Sequence, residues 1–306
     1  MDGAREGDDE GQRVKLSDAA SYDANAGDFD ALTERFAAPL AERMLDLAGL
    51  SAADALLDVG TGSGLVALRA AARTPQGRAV GIDHSVGMLQ QARDKAKRLN
   101  VAATFSAMDA EALEFPDASF DAVVSLFVLR HLPNPAAATQ EMHRMLKSGG
   151  RLVVGIGSGP SPTSPEGLAA AARVAWSKIE HARGRLLEAP RFLQELMAAR
   201  GWRAAQDTGA HHHGIDVRRM MANAGFSHVE TTWLGRVVEL EPEDFWSVQA
   251  TYSSPERMRL AELPADQVTE LKRNFIAKAE HVRAAGGRLV YRYGAMFYTA
   301  VKSGRA

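Results

Sequence analysis

Apolar residues recur at helical spacing from Asp28 to Leu50, where Phe29, Leu32, Phe36, Leu40, Met44, Leu45 and Leu47 fall near i, i+3, i+4 steps. The period then changes. Ala55-Leu56-Leu57-Asp58-Val59 is a short apolar run of the kind a buried strand shows, and it ends in Gly60-Thr61-Gly62-Ser63-Gly64. Leu65 to Arg73 returns to helical spacing, and Arg78 to Asp83 forms a second strand. Ser85 can cap the helix that follows to about Leu99. Val101 to Ser106 and the Val-rich run Phe120 to Phe127 predict strands three and four. Pro135 opens a helix through Leu146, Gly149-Gly150 ends it, and Arg151 to Ile156 is the fifth strand. Strand and helix alternate throughout, so the sheet is expected to be parallel with helices on both faces.

The alternation stops at the Gly/Ser/Pro-rich stretch Gly157 to Pro165. Leu168 to about Trp202 then reads as helix, Ile215 to Ala224 as a helix closed by Gly225, and Phe226 to Leu240 as a strand. Pro242 to Ala285 is helical with breaks near Pro255 and Pro264, and Gly286-Gly287 leads into a last strand, Arg288 to Val301. The expected organisation is a disordered tail over residues 1–15 and one domain over 16–306. Its cofactor-binding half is 16–157, and helical insertions at about 158–214 and 241–287 form a lid.

Composition narrows the function. The chain has 306 residues, 46% hydrophobic and 24% charged, with a formal net charge of -2. No basic stripe suits nucleic acid, and no stretch approaches the ~20 apolar residues that span a bilayer. There is no cysteine, which removes disulfides, zinc–thiolate sites and thiol nucleophiles. Residues 1–10 contain no apolar run, so a cytoplasmic enzyme acting on a small molecule is expected, with no metal and with a homodimer as one possible assembly.

The glycine loop carries the chemistry. It follows a strand and opens a helix, where backbone N–H groups and close approach suit a ligand. A dinucleotide fingerprint would place a third glycine at the position held by Leu65. Asp58, just before the loop, would repel a pyrophosphate but suits a ligand with a cationic amino acid end. S-adenosylmethionine has an ammonium and a sulfonium and no phosphate. Asp83, closing the second strand, can accept from both ribose hydroxyls. Met88 either lies against the adenine or packs in the core, and Asp109 either accepts from the adenine amino group or caps the turn before Glu111.

Leu57 to Gly64, Gly81-Ile82-Asp83 with Ser85 and Met88-Leu89, and Asp109 to Leu113 leading to Phe115-Pro116-Asp117-Ala118-Ser119-Phe120-Asp121 together resemble class I S-adenosylmethionine-dependent methyltransferases. Leu129, His131-Leu132, Pro135, Leu146-Lys147 and Gly149 to Leu152 extend the likeness, which covers roughly residues 22–156 and points to the ubiquinone/menaquinone-biosynthesis-like (type 11) group. The resemblance implies an α/β, doubly wound, Rossmann-like sheet of seven strands, mainly parallel, in the order 3-2-1-4-5-7-6 with the last strand antiparallel. It implies that Gly60, Thr61, Gly62, Gly64, His84, Ala110, Ser125 and Leu126 join Asp58, Asp83, Met88 and Asp109 around S-adenosyl-L-methionine.

For catalysis, the resemblance implies that an aromatic from the amino-terminal segment, Tyr22, folds over the methyl site; alternatively it packs in a loop. His131, shortly after strand four, is the general-base candidate by position, with packing or capping as the other reading. His211-His212-His213 cannot all face one point and reads as a solvated loop before the Ile215 helix, with one of the three reaching the substrate as the other reading. Trp176, Trp202, Trp233, Phe245 and Trp246 are available for an apolar acceptor pocket, although with only four Trp in the chain some must serve the core. An NAD(P)-dependent oxidoreductase and a non-methylating S-adenosylmethionine binder are the competing functions.

Overall fold

The structure, a computed structural model, describes residues 26–159, 162–202, 214–252 and 254–304. Tyr22, the run His211 to His213 and the expected tail at 1–15 lie outside the described residues. The chain divides into two compact units: residues 1–157, 209–234 and 295–306 form the first, and 158–208 with 235–294 the second.

In the first unit, α1 (Ala26–Ala48) buries Leu32, Phe36, Leu40 and Met44 at four-residue steps, with Leu45 beside them. It ends where Gly49 turns left-handed and Arg151 donates to the Ala48 carbonyl at 2.6 Å. The strands β1 (Ala55–Val59), β2 (Arg78–Asp83), β3 (Ala103–Ala107), β4 (Phe120–Leu126) and β5 (Leu146–Gly157) lie parallel in the order β3-β2-β1-β4-β5. The crossovers include α2 (Leu65–Arg73), α3 (Val86–Leu99) and α4 (Pro135–Met145). β1 is buried along its whole length, as a strand covered on both faces must be. Ser85 and Asn134 cap α3 and α4, accepting from Met88 and Ala137 N–H at 3.1 Å each. The strand order reverses between β1 and β4, so the carboxyl ends of β1, β2 and β4 flank the crevice where such sheets bind ligands.

Three further strands complete the sheet. The last, β8 (Arg288–Val301), runs antiparallel to β5, with Arg151 opposite Val301 and Gly157 opposite Ala295. β7 (Ser227–Glu239), which follows α7 (Val217–Asn223), pairs with β8. These make up the seven strands expected. The eighth, β6 (Leu186–Glu188), belongs to the second unit and pairs in parallel with Arg288–Val290.

Two expected boundaries move. β5 begins at Leu146, opposite Phe120, and a bulge then resets the register to Ala122–Arg151. The cause lies far away in sequence: Gly149 N–H donates to the Lys302 carbonyl, and Lys302 N–H returns a bond to Gly150. The helix expected over 168–202 is broken into α5 (Pro165–Ala182) and α6 (Ala189–Ala198), because Gly184 turns left-handed and β6 joins β8.

The second unit also holds α8 (Pro242–Tyr252), α9 (Ser254–Ala261) and α10 (Ala265–Ala284). Its core is aromatic: Phe275 lies 4.5 Å from Phe192, 5.6 Å from Phe245 and 5.3 Å from Trp246, ring centre to ring centre. Phe245 and Trp246, expected as pocket residues, are therefore core residues. No helix among the described residues is long and apolar enough to cross a membrane.

Candidate active site

The loop between β1 and α2 is drawn onto the end of β2, where Gly60 and Thr61 N–H both donate to the Ile82 carbonyl at 2.8 Å. Gly60 and Gly62 differ in what they require. Both have positive φ, 74° and 54°. A Cβ on Gly60 would stand 2.2 Å from Val128 Cγ2, whereas a Cβ on Gly62 would meet nothing within 4 Å. The crest of the loop at Gly62 therefore faces open space that a ligand can fill.

Three consecutive loop residues are each held by a carboxylate from a different element. Thr61 Oγ1 donates to Asp58 Oδ2 at 2.7 Å, Gly62 N–H to Asp83 Oδ2 at 2.8 Å, and Ser63 Oγ to Asp30 Oδ1 at 2.6 Å. Asp58 lies beneath the loop, 1% exposed, and also accepts from Ala67 N–H at 3.1 Å. Asp83 is half-buried, and its Oδ1 accepts from Ser85 N–H at 2.9 Å. Burial pushes the Asp58 carboxyl up to about 7, against the lowering effect of the Thr61 and Ala67 bonds and with a further push from Asp83. Burial also raises Asp83, opposed by the N–H groups of Ser85, Gly62 and His84.

These features fit S-adenosylmethionine. Among the described residues, Asp58 and Asp83 have no Lys or Arg ion partner, so a cationic ligand relieves them and a pyrophosphate would not. Among the described residues no group of three or more His, Asp or Glu is placed to hold a metal ion.

Gly62→Ala is expected to keep the fold, at a cost of about 1 kcal/mol for its left-handed backbone, and to lose cofactor binding because the methyl enters the open space above the loop. Gly60→Ala is expected to lower stability by more, since its methyl collides with Val128. Thermal melts with and without S-adenosylhomocysteine separate the two. A Gly62→Ala protein that keeps its ligand-induced rise in Tm would contradict the placement.

The other expected residues are distributed around this loop. Met88 is buried, 2% exposed, and His84 is exposed. Asp109 Oδ1 accepts from Glu111 N–H at 2.9 Å, which is the turn-capping role, and Ala110 packs in the core. That turn is fixed from α4: Glu141 accepts from Leu113 N–H, and Arg144 donates to the Leu113 and Phe115 carbonyls. Ser125 is fully buried at the strand reversal, its Oγ donating to the Val59 carbonyl at 3.0 Å. β4 stops at the half-buried Leu126, because Phe127 adopts a φ of 63° and turns the chain into the 3-10 turn Leu129–His131. His131 is half-buried there, its N–H bonded to the Val128 carbonyl.

Sequence reasoning missed Asp30 and Lys95. Lys95 Nζ lies 2.5 Å from Asp30 Oδ1 and is itself buried. The available signal was a lysine on the apolar stripe of α3, in line with Met88, Leu89, Ala92 and Ala96.

The fold and this loop define a class I S-adenosylmethionine-dependent methyltransferase. Residues 57–154 match a methyltransferase domain family. The chain is 36% identical over 189 residues to the demethylmenaquinone methyltransferase of Thermus thermophilus, covering 60% of this chain and 80% of that relative. It is 42% identical over 102 residues to a ubiquinone/menaquinone biosynthesis C-methyltransferase of Geotalea uraniireducens, covering 32% of this chain and 43% of that relative. The YcgJ protein of Bacillus subtilis shares the fold, with a TM-score of 0.52 at 18% identity over 87% of this chain and 98% of its own. The chain belongs to the ubiquinone/menaquinone-biosynthesis methyltransferase family, and its cofactor is S-adenosyl-L-methionine.

Proposed function

We propose that the enzyme methylates a quinone-like aromatic acceptor in its reduced, hydroxyl-bearing form. The observation that carries this is the likeness to a demethylmenaquinone methyltransferase over four-fifths of that protein's length. When bound, S-adenosylmethionine supplies an electrophilic methyl group. The protein's own part is to hold the acceptor in line and to accept the hydroxyl proton whose loss makes the ring nucleophilic. His131, presented by the turn after β4, is the residue proposed for that proton. The cytoplasmic location and the homodimer are part of the same proposal, and cell fractionation and light scattering test them.

The test is a panel of acceptors with product analysis by mass spectrometry: a naphthoquinol lacking its ring methyl, simple phenols and neutral amines. The expected result is a methylated quinol with release of S-adenosylhomocysteine. His131→Ala is expected to slow quinol and phenol methylation by about 10²- to 10⁴-fold and to affect an amine little, because a neutral amine attacks before it loses its proton. Turnover on amines alone would overturn the acceptor class. Full activity of His131→Ala on a phenol across pH would leave His131 a structural residue. Cofactor binding without any release of S-adenosylhomocysteine would favour a non-methylating binder.

A further inference from the structure

The side of α3 that faces the core carries Met88, Leu89, Ala92, Lys95 and Ala96. Four of these are apolar. Lys95 is the exception, its side chain only 8% exposed, and a buried ammonium is costly unless it is paired. Its partner is Asp30, from the second turn of α1. The same Asp30 Oδ1 accepts from Ser63 Oγ, and Lys95 Nζ stands 3.5 Å from that hydroxyl. Three elements that are distant in sequence therefore meet at one oxygen atom.

The place where they meet matters. Ser63 lies between Gly62 and Gly64, whose φ values are 54° and 85°. Neither glycine has a side chain to hold the crest, which β1 and β2 tie through Asp58 to Thr61 and through Asp83 to the Gly62 N–H. The side chain of Ser63 is the tie between that crest and the helices. Beside the apolar packing of α1, the polar links from α1 to α2 among the described residues include the ion pairs of Arg69 and Arg73 with Glu34, Glu42 and Asp46. Their acidic partners are about half exposed, and such surface pairs contribute little.

We propose that Lys95 and Asp30 are positioning residues for the cofactor loop, which act through Ser63 and couple docking of the start of α1 to S-adenosylmethionine binding. Neither is a catalytic residue. Coupling of this kind is reciprocal: if docked α1 favours the cofactor by some factor, the cofactor favours docked α1 by the same factor. Lys95→Met leaves the Asp30 carboxylate without its cation and the Ser63 hydroxyl with a displaced acceptor. The proposal concerns the cofactor alone and is independent of which acceptor is methylated.

The experiment uses the full chain and S-adenosylhomocysteine as probe, with affinity from calorimetry and hydrogen exchange followed in residues 26–36. In the unaltered protein, the probe is expected to slow exchange at the start of α1. Lys95→Met is expected to weaken binding by about tenfold or more and to abolish that protection. Asp30→Asn should do the same, and the Lys95→Met, Asp30→Asn double variant should lose no more than the worse single one, because the residues act as a unit. Lys95→Arg should recover part of the affinity.

A folded Lys95→Met protein whose affinity stays within about threefold of the unaltered chain would overturn the proposal, whatever its melting temperature. If Lys95→Met fails to fold, Ser63→Ala decides, since it removes one hydroxyl: loss of the probe's protection of residues 26–36 supports the coupling, and unchanged protection overturns it. Failure of the unaltered protein to bind the probe would remove the cofactor assignment as well. Normal binding there with normal binding in the variants would remove the positioning role alone.

Discussion

Asp83→Ala is expected to weaken S-adenosylmethionine binding by about 10²- to 10⁴-fold while the fold persists. The carboxylate of Asp83 accepts from Gly62 N–H on Oδ2 and from Ser85 N–H on Oδ1, and the His84 N–H also faces it. An ionised carboxylate has about four acceptor sites, so each oxygen retains capacity for a ribose hydroxyl. Two charge-assisted bonds lost at about 1.5–3 kcal/mol each give the range quoted. The loss of the Gly62 tie acts in the same direction, because the loop is then less ordered before the ligand arrives. Folding survives because the residue closes a strand at a half-exposed edge and is not part of an apolar cluster. A change in affinity of less than about tenfold, or ~1.4 kcal/mol, would contradict the ribose assignment.

Asp58→Asn is expected to make the ligand-free protein more stable at pH 8 than the unaltered chain, by up to about 4 kcal/mol. The sign follows from the raised value. The unfolded carboxyl releases its proton near 3.8, whereas the folded one holds it to about 7. Between those values the folded state binds more protons, so this group's contribution falls as pH rises and is level above about 7. Asparagine keeps an oxygen to accept from Thr61 and Ala67 but carries no charge to bury. Denaturant titrations of both proteins from pH 4 to 8 give the difference directly, so the opposite contributions of Asp121 and Glu141, both lowered by their basic partners, cancel. A stability difference that does not change with pH would show that Asp58 stays ionised in the fold.

Much of the secondary structure could be read from local pattern. The buried run ending at Val59, the glycine loop, the caps at Ser85 and Asn134 and the double glycine before β8 are all signals carried by neighbouring residues. What sequence could not supply were partners distant along the chain. The early start of β5 depends on Lys302, and β6 is a strand only because β8 lies beside it. Asp109 was legible as a strand-end acid in series with Asp58 and Asp83; its Oδ1 accepts from Glu111 N–H, as Asp83 Oδ1 does from Ser85 N–H, and its contact with the adenine is a proposal. The third acid on the loop is Asp30, which comes from α1 and is 33 residues from the serine it holds. Phe245 and Trp246 were legible as apolar, but the sequence could not separate a pocket wall from a core, and the packing around Phe275 does.

The central claim is that the loop between β1 and α2 receives S-adenosylmethionine and not a dinucleotide. Calorimetric titration of the purified chain with S-adenosylmethionine and, in parallel, with NAD and NADP tests it most directly. Saturable binding of S-adenosylmethionine near one equivalent, with no heat from either dinucleotide, is the predicted result. Tight NAD or NADP binding with none for S-adenosylmethionine would contradict it.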